Sequence, residues 1–373
     1  MYERAEARID LAALKHNCAE LRQRVGPDVE LAPVLKADAY GHGAAHCAAA
    51  AVEAGVDRIA VATAREALQI RAMDPEVPIL VLGALAPGEV ETAVIAGADI
   101  SVWDPQFIGS VEAAARAAGR VTGVHVKYDT GMGRLGSFDP EVVLAVARSV
   151  AASPDLRLEA IWTHFASADD PDPAFTNLQK SRLSELGERA RAIFPGLKLH
   201  AANSAAVVSD ATTHFDLVRP GVAVYGMDPF GRDPAAHNLR PVLSLHSYVA
   251  TVKRFEPGMS AGYGRTWIAR EPTTVVTVPV GYGDGVRRGL SNLGEVLIGG
   301  RHCQMVGTVS MDNITVEVGD LSVSVGDEVT LIGSQGEETI TAEQVAAKLD
   351  TINYEVTCAI SPRVPRIPSG ERE

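Results

Sequence analysis

The sequence predicts a two-part α/β protein: a (β/α)8 TIM-type barrel over residues 1–235, then a mostly antiparallel β-domain over residues 236–373. Three observations predict it. From about residue 29 to about residue 226, short apolar β-branched runs alternate with longer Ala-rich stretches of helical spacing. Such alternation implies parallel pairing, because parallel strands need a crossover and a helix usually supplies it; eight units over about 200 residues suit a closed barrel better than an open sheet. After about residue 236 the texture changes to strands joined by Gly and Pro turns.

In chain order, barrel strands are expected at Glu30–Lys36, Arg58–Ala62, Pro78–Leu82, Asp99–Trp103, Thr122–Tyr128, Arg157–Phe165, Leu197–Asn203 and Leu217–Tyr225. Helices are expected between them, among others at Ala44–Ala54, Ala64–Met73, Pro105–Ala118 and Asn177–Phe194, where Leu178, Leu183, Leu186 and Ala190 share a face. Ala235–Asn238 reads as the junction. Beyond it, strands are expected at Ser244–Phe255, Thr273–Val280, Glu295–Ile298, His302–Thr308 and Asn313–Val318. Only one clear helix is expected there. Thr341 and Gln344 form its capping box, and it runs to about Leu349. The last residues, Pro368–Glu373, are expected to fray.

Bulk properties exclude several function classes. A net charge of −13 argues against a nucleic-acid or anionic-membrane partner, which would want a basic footprint. It leaves room for a small anionic ligand in a local positive pocket. Cys18, Cys47, Cys303 and Cys358 are widely spaced, so neither a zinc cluster nor a disulfide framework is expected, and a reducing cytoplasm fits. The opening MYERAEARIDLAAL has no apolar signal-peptide core, and no run reaches the ~20 apolar residues of a membrane helix.

In a barrel of this kind, chemistry belongs at the carboxyl ends of the strands. The first expected strand ends in Lys36, within Pro33–Gly43. A lysine closing an apolar strand is expected to be partly desolvated there. Its ammonium is then disfavoured, and the neutral amine is a nucleophile able to form a Schiff base. Snorkelling to solvent is the plain alternative. Ser204, with the amides of Gly221 and Val222, would make a phosphate site after the seventh and eighth strands; an N-cap serine and a turn glycine would look the same. Arg219 and His164 also end strands, where a surface ion pair or a satisfied core histidine is the bland reading.

Pro33–Gly43, PVLKADAYGHG, resembles the cofactor-lysine motif of the alanine racemases. The resemblance extends to Lys127–Arg134, Thr163–Phe165, Ala202–Ala205, Arg219–Gly221, Gly281–Gly285, Ser310–Asp312 and Ile352–Glu355, in the family's order and across nearly the whole chain. It implies a barrel plus β-domain, pyridoxal phosphate on Lys36, and a homodimer whose active site is shared between subunits. Carried over, Tyr40, Ser204, Gly221, Val222 and Tyr354 would hold the phosphate, and His164 and Asn203 would support the ring. Arg134 and the backbone of Met311 would meet the substrate carboxylate. Lys127 matches a lysine that is often carbamylated and then pairs with the arginine. Tyr263, within Gly262–Gly264, would be a second catalytic base reaching in from the partner. The implied reaction is interconversion of L- and D-alanine, which would supply D-alanine for peptidoglycan precursors. Gly262 stands where serine is frequent, and Gly283 where alanine is frequent in a Gly-Tyr-Ala-Asp-Gly run.

Racemisation removes the α-proton and returns it to the other face, so two bases are expected, Lys36 and Tyr263, each with a lowered pKa. The resemblance places Arg219 at the pyridine nitrogen. An arginine cannot accept a proton, so that nitrogen would stay neutral and transamination would be suppressed. Rival readings are a racemase of serine or a broader range, a decarboxylase on the same architecture, and a cofactor-carrying barrel without enzymatic activity. A decarboxylase would want an acidic group in place of Arg219, and a lone barrel would lack the domain bearing Tyr263. Gly131–Gly136 is a literal G-x-G-x-x-G with Asp155 downstream, but it falls in the fifth strand–helix unit rather than the first, which argues against a dinucleotide fold. His42 and His46 lack the glutamate of a zinc motif, and no metal is expected.

Overall fold

The computed structural model describes residues 3–370, which form two compact units. One comprises Lys15–Ala39 and Ala44–Val224; the other comprises the chain up to Leu14, Tyr40–Gly43 and the chain from Tyr225 on.

The first unit is an eight-stranded parallel sheet built from Glu30–Leu31, Ile59–Val61, Ile79–Val81, Ala98–Val102, Thr122–Lys127, Leu156–Trp162, Lys198–His200 and Leu217–Val218. Pairing runs between successive strands and from Leu217–Val218 back to Glu30–Leu31. A bridge between Val34 and Ala60 joins the first strand to the second and closes the ring. The barrel interior is packed, and all six residues of Thr122–Lys127 are buried. Crossover helices begin where their caps say they should. Thr63 and Glu66 form a capping box for Ala64–Met73, and Asp104 with Pro105 starts Pro105–Ala118. Gly119, at φ 62°, ends the latter in the left-handed conformation favoured after a helix.

Every barrel strand ends earlier than expected, the first and the eighth by the most. The eighth stops at Val218, because Pro220 has no amide to donate, and Val222–Tyr225 coils into a 3-10 turn. The first does not run to Lys36. Instead Lys36–Tyr40 forms a left-handed helical turn, with φ between 53° and 55° at Ala37, Asp38, Ala39 and Tyr40. Each such residue costs roughly 1–2 kcal/mol, so neighbours must hold the turn. Glu66 accepts the Ala37 amide at 2.7 Å, Asp38 accepts the Ala44 amide at 2.8 Å, and the Ala39 amide donates to the Leu35 carbonyl at 3.0 Å.

The second unit is a mostly antiparallel sheet. Its order is Thr251–Phe255, Thr273–Val278, Ile314–Glu317, Arg301–Met305, Glu295–Ile298, Glu328–Gln335, Leu243–Tyr248, Glu6–Asp10 and Arg366–Ser369, with Glu338–Ile340 paired to Glu328–Gln335. The single strand expected at Ser244–Phe255 is two strands, because its halves pair with different neighbours. The Thr341–Gln344 capping box is present and starts Ala342–Lys348, but a second helix, Asn353–Cys358, follows. The expected fraying at the end is overturned for Pro368 and Ser369, which pair in parallel with Ile9 and Asp10; Glu371–Glu373 lie outside the described residues. Among the described residues no helix is long and apolar enough to cross a membrane.

Candidate active site

Lys36 opens the left-handed turn and its side chain is exposed, which corrects the expectation of a partly desolvated amine closing a strand. The desolvated lysine of the barrel is Lys127. It is 3% exposed, its Nζ has no hydrogen-bond partner among the described residues, and it lies 3.8 Å from the centre of the Trp162 ring. Burial holds its pKa well below the ordinary lysine value, the Arg219 and Arg134 charges push the same way, and Asp129 only partly opposes them. The aromatic face would favour an ammonium, but burial outweighs it.

Arg219, also buried, sits beside Lys127 over the same Trp162 ring. One terminal nitrogen donates to His200 Nδ1. The other reaches the carbonyls of Thr163 at 2.8 Å and Ala201 at 3.0 Å, and His164 Nδ1 at 3.3 Å. No carboxylate is among these partners, and the Nε–H makes no hydrogen bond among the described residues. Burial lowers Arg219 to about 9. His164 is held well below the ordinary imidazole value by burial, then by Arg219, Lys127, Arg134 and Lys36, so it is neutral near pH 7.

Ser204 begins the short helix Ser204–Ser209, whose N-cap is Asn203 through a 3.1 Å bond from the Ala206 amide. Ser204 Oγ accepts the amides of Gly221 at 2.9 Å and Ala223 at 3.2 Å. Of the two amides expected beside Ser204 in a phosphate site, that of Gly221 donates to the serine itself. With both lone pairs taken, the hydroxyl keeps its own proton to donate.

The Gly131–Gly136 loop is ordered from within. Asp129 accepts the amides of Gly131, Gly133 and Arg134 at 2.9, 3.1 and 3.0 Å. Burial would raise this carboxyl, but those amides hold it below its ordinary value. Amides so engaged do not cradle a dinucleotide phosphate. The exposed Arg134 side chain is presented by this loop.

In the second unit, the Tyr40 ring packs against Tyr225 at 5.1 Å and edge-on to Tyr354 at 6.2 Å. Burial pushes the Tyr40 phenol up, with Tyr354 and Cys358 adding to it, so it keeps its proton. His42 is buried and stacked on Tyr225, whereas His46 is exposed; no metal-binding cluster occurs among the described residues. Tyr263 is 75% exposed and Met311 52%. Of the two departures from the family pattern, the one at Gly262 has a local backbone cause. Gly262 has φ 71°, and a Cβ there would lie 2.8 Å from the Thr308 amide. A Cβ at Gly283 would meet the Arg363 guanidinium at 2.4 Å; that group pairs with Asp312 at 2.7 Å.

Sequence reading missed Glu66, Trp162 and the buried histidines His125 and His200. A capping glutamate and interior strand residues carry no signal in a single sequence that they also touch a site. A cavity of about 420 Å³ in the second unit, walled by Leu290, Met305, Val345 and Val356 among others, includes none of the site residues.

Comparison with known proteins follows the same division. Residues 9–229 match the family model described as the alanine racemase N-terminal domain, and residues 242–368 match the alanine racemase C-terminal domain. The chain is 42% identical to an alanine racemase of Symbiobacterium thermophilum over 98% of this chain and 97% of that one. The alanine racemase of the D-cycloserine producer Streptomyces lavendulae superposes with a TM-score of 0.94 at 36% identity, covering 100% of this chain and 98% of the other. That of Bartonella henselae, solved with covalently bound pyridoxal phosphate, gives 0.86 at 31% identity, covering 98% and 99%.

Proposed function

The chain belongs to the alanine racemase family, and we propose that it interconverts L- and D-alanine with two bases, Lys36 and Tyr263, on opposite faces of the substrate. It is an amino-acid racemase. What carries the finer reading is that the family's two domains match one chain that also bears Lys36, a carboxylate-free Arg219 and an exposed Tyr263.

The donor set fits pyridoxal phosphate. Lys36 would hold its aldehyde covalently. The Ser204 hydroxyl, the Tyr40 and Tyr354 phenols and the backbone at Val222 would hold its phosphate, with the Gly221 amide fixing the Ser204 hydroxyl. The Arg219 Nε–H would face the ring nitrogen, with His164 and Asn203 supporting the ring and its surroundings. When bound, the cofactor supplies an electron sink for the pair left on the α-carbon. Arg134 and the Met311 backbone would fix the substrate carboxylate, so that the α-proton points at one base or the other. Lys36, its amine freed when the substrate amine takes its place, would take or return the proton on one face, and Tyr263 would serve the other. Arg219 has only donors and a positive charge, so it would keep the ring nitrogen unprotonated, which favours return of the proton to the α-carbon. The neutral Lys127 amine can add carbon dioxide, and the carbamate would pair with Arg134. Tyr263 and Met311, exposed on one chain, would complete the site of a second copy, making the working form a homodimer of the cytoplasm.

Mixing two dead variants tests this. Lys36→Ala and Tyr263→Ala proteins, unfolded and refolded together, should recover about a quarter of wild-type racemisation, because half the dimers are mixed and each carries one intact site. No recovery, with mixed dimers present, would remove the shared site.

A further inference from the structure

We propose that Asp99 is a positioning residue for the reaction, acting on Arg219 through a one-directional chain of two buried histidines. The proposal rests on the reading that Arg219 faces the cofactor ring. The chain climbs the barrel interior. Asp99 is the second residue of Ala98–Val102, and His125 sits one level higher on the neighbouring strand, opposite Ser101. His200 ends Lys198–His200, and Arg219 directly follows Leu217–Val218. His125, His200 and Arg219 are each no more than 2% exposed.

Chemistry fixes the direction of every link. Arg219 has only donors, so His200 Nδ1, which it contacts, must accept. His200, held well below the ordinary imidazole value by burial and then by Arg219, is neutral, so its proton is on Nε2. That Nε2 lies 2.8 Å from His125 Nδ1, which must accept in turn. His125 is likewise pushed down by burial, so it carries one proton, on Nε2. This Nε2 faces Asp99 Oδ2 at 3.5 Å, a charge–dipole contact rather than a well-formed hydrogen bond. Burial would raise Asp99, but His125 and Arg58 outweigh it and hold the carboxyl at about 2. Arg58 pairs with it at 2.8 Å and the more exposed Arg157 at 3.9 Å.

The arrangement does for Arg219 what no adjacent carboxylate does. A buried guanidinium needs an acceptor, but a carboxylate beside it would dissipate the positive charge offered to the ring. Two neutral imidazoles, each fixed in one tautomer, pass the orienting effect of Asp99 along and keep the negative charge two residues away. Gly123 makes room for this anchor, since a Cβ there would lie 2.0 Å from Asp99 Oδ1.

Nitrogen-15 NMR of the wild-type protein tests the direction, and should show both His125 and His200 protonated on Nε2 alone. A proton on Nδ1 of either ring, or a charged ring near pH 7, overturns the proposal. Function is tested with Asp99→Asn, with His125→Asn, and with Arg157→Ala as a control that leaves the chain intact. In the first two, the visible absorption of bound pyridoxal phosphate should shift and kcat should fall about tenfold with KM nearly unchanged. Transamination per turnover should rise, and Arg157→Ala should match wild type in all of these. Folded variants with wild-type absorption and partition would make Asp99 a structural anchor only. A wild-type protein that takes up no cofactor would instead defeat the reading on which this rests.

Discussion

Lys36 and Lys127 sit in the same barrel with opposite surroundings. Lys127 ends a strand whose every residue is buried, and its amine has no hydrogen-bond partner among the described residues. Lys36 lies beyond its strand, on a left-handed turn that lifts it into the open. The difference teaches that a strand-end position does not by itself desolvate a lysine; the backbone conformation just past the strand decides. Under the proposed function, the amine that would meet a large cofactor is the accessible one, and the one that would meet only carbon dioxide is buried.

The largest expected effect separates the two amines outright. Lys36→Ala should reduce racemisation by at least about a thousandfold and abolish the colour of the protein with pyridoxal phosphate, as absorption and chiral assay will read. Lys127→Met should keep the colour and lose about tenfold in kcat/KM, through a looser Arg134. Equal losses in the two variants would break the comparison.

The stability of the cofactor-free, bicarbonate-free protein sharpens it. The folded-state pKa of Lys127 lies below its unfolded value, so between the two the unfolded chain binds more protons and stability rises with pH. Lys127→Met removes that penalty. It should raise the melting temperature by roughly a few degrees near pH 7 and by less near pH 10, as paired thermal melts will show.

Smaller effects should come from the turn beneath Lys36. Glu66 accepts the amides of Ala37, Ala62 and Thr63, binding the turn to the start of a barrel helix. Glu66→Ala should lower kcat several-fold and weaken cofactor retention in dialysis, because buried or strained amides lose a charged acceptor. Ala37→Gly relieves one left-handed residue at the expense of chain entropy, and should raise the melting temperature by about 2 °C.

Much of the barrel was legible because period-two and period-3.6 patterns report burial directly, and caps such as Thr63 and Asp104 are local signals. The left-handed turn was not, since Lys-Ala-Asp-Ala-Tyr has no glycine and a strong helical pattern, and the Glu66 carboxylate that accepts the Ala37 amide is distant in sequence. For the same reason the surroundings of Lys36 were misjudged. The strand-end positions of Ser204 and Arg219 were legible, whereas Asp99, His125 and His200 lie on three separate strands and join only when the barrel is set in register. The second helix of the β unit, Asn353–Cys358, was hidden by its brevity.

The most direct measurement is borohydride reduction of the pyridoxal phosphate complex, followed by peptide mapping. The account predicts the reduced pyridoxyl group on the peptide bearing Lys36 and none on that bearing Lys127. A label on Lys127, or none on Lys36 in protein that racemises alanine, would contradict it.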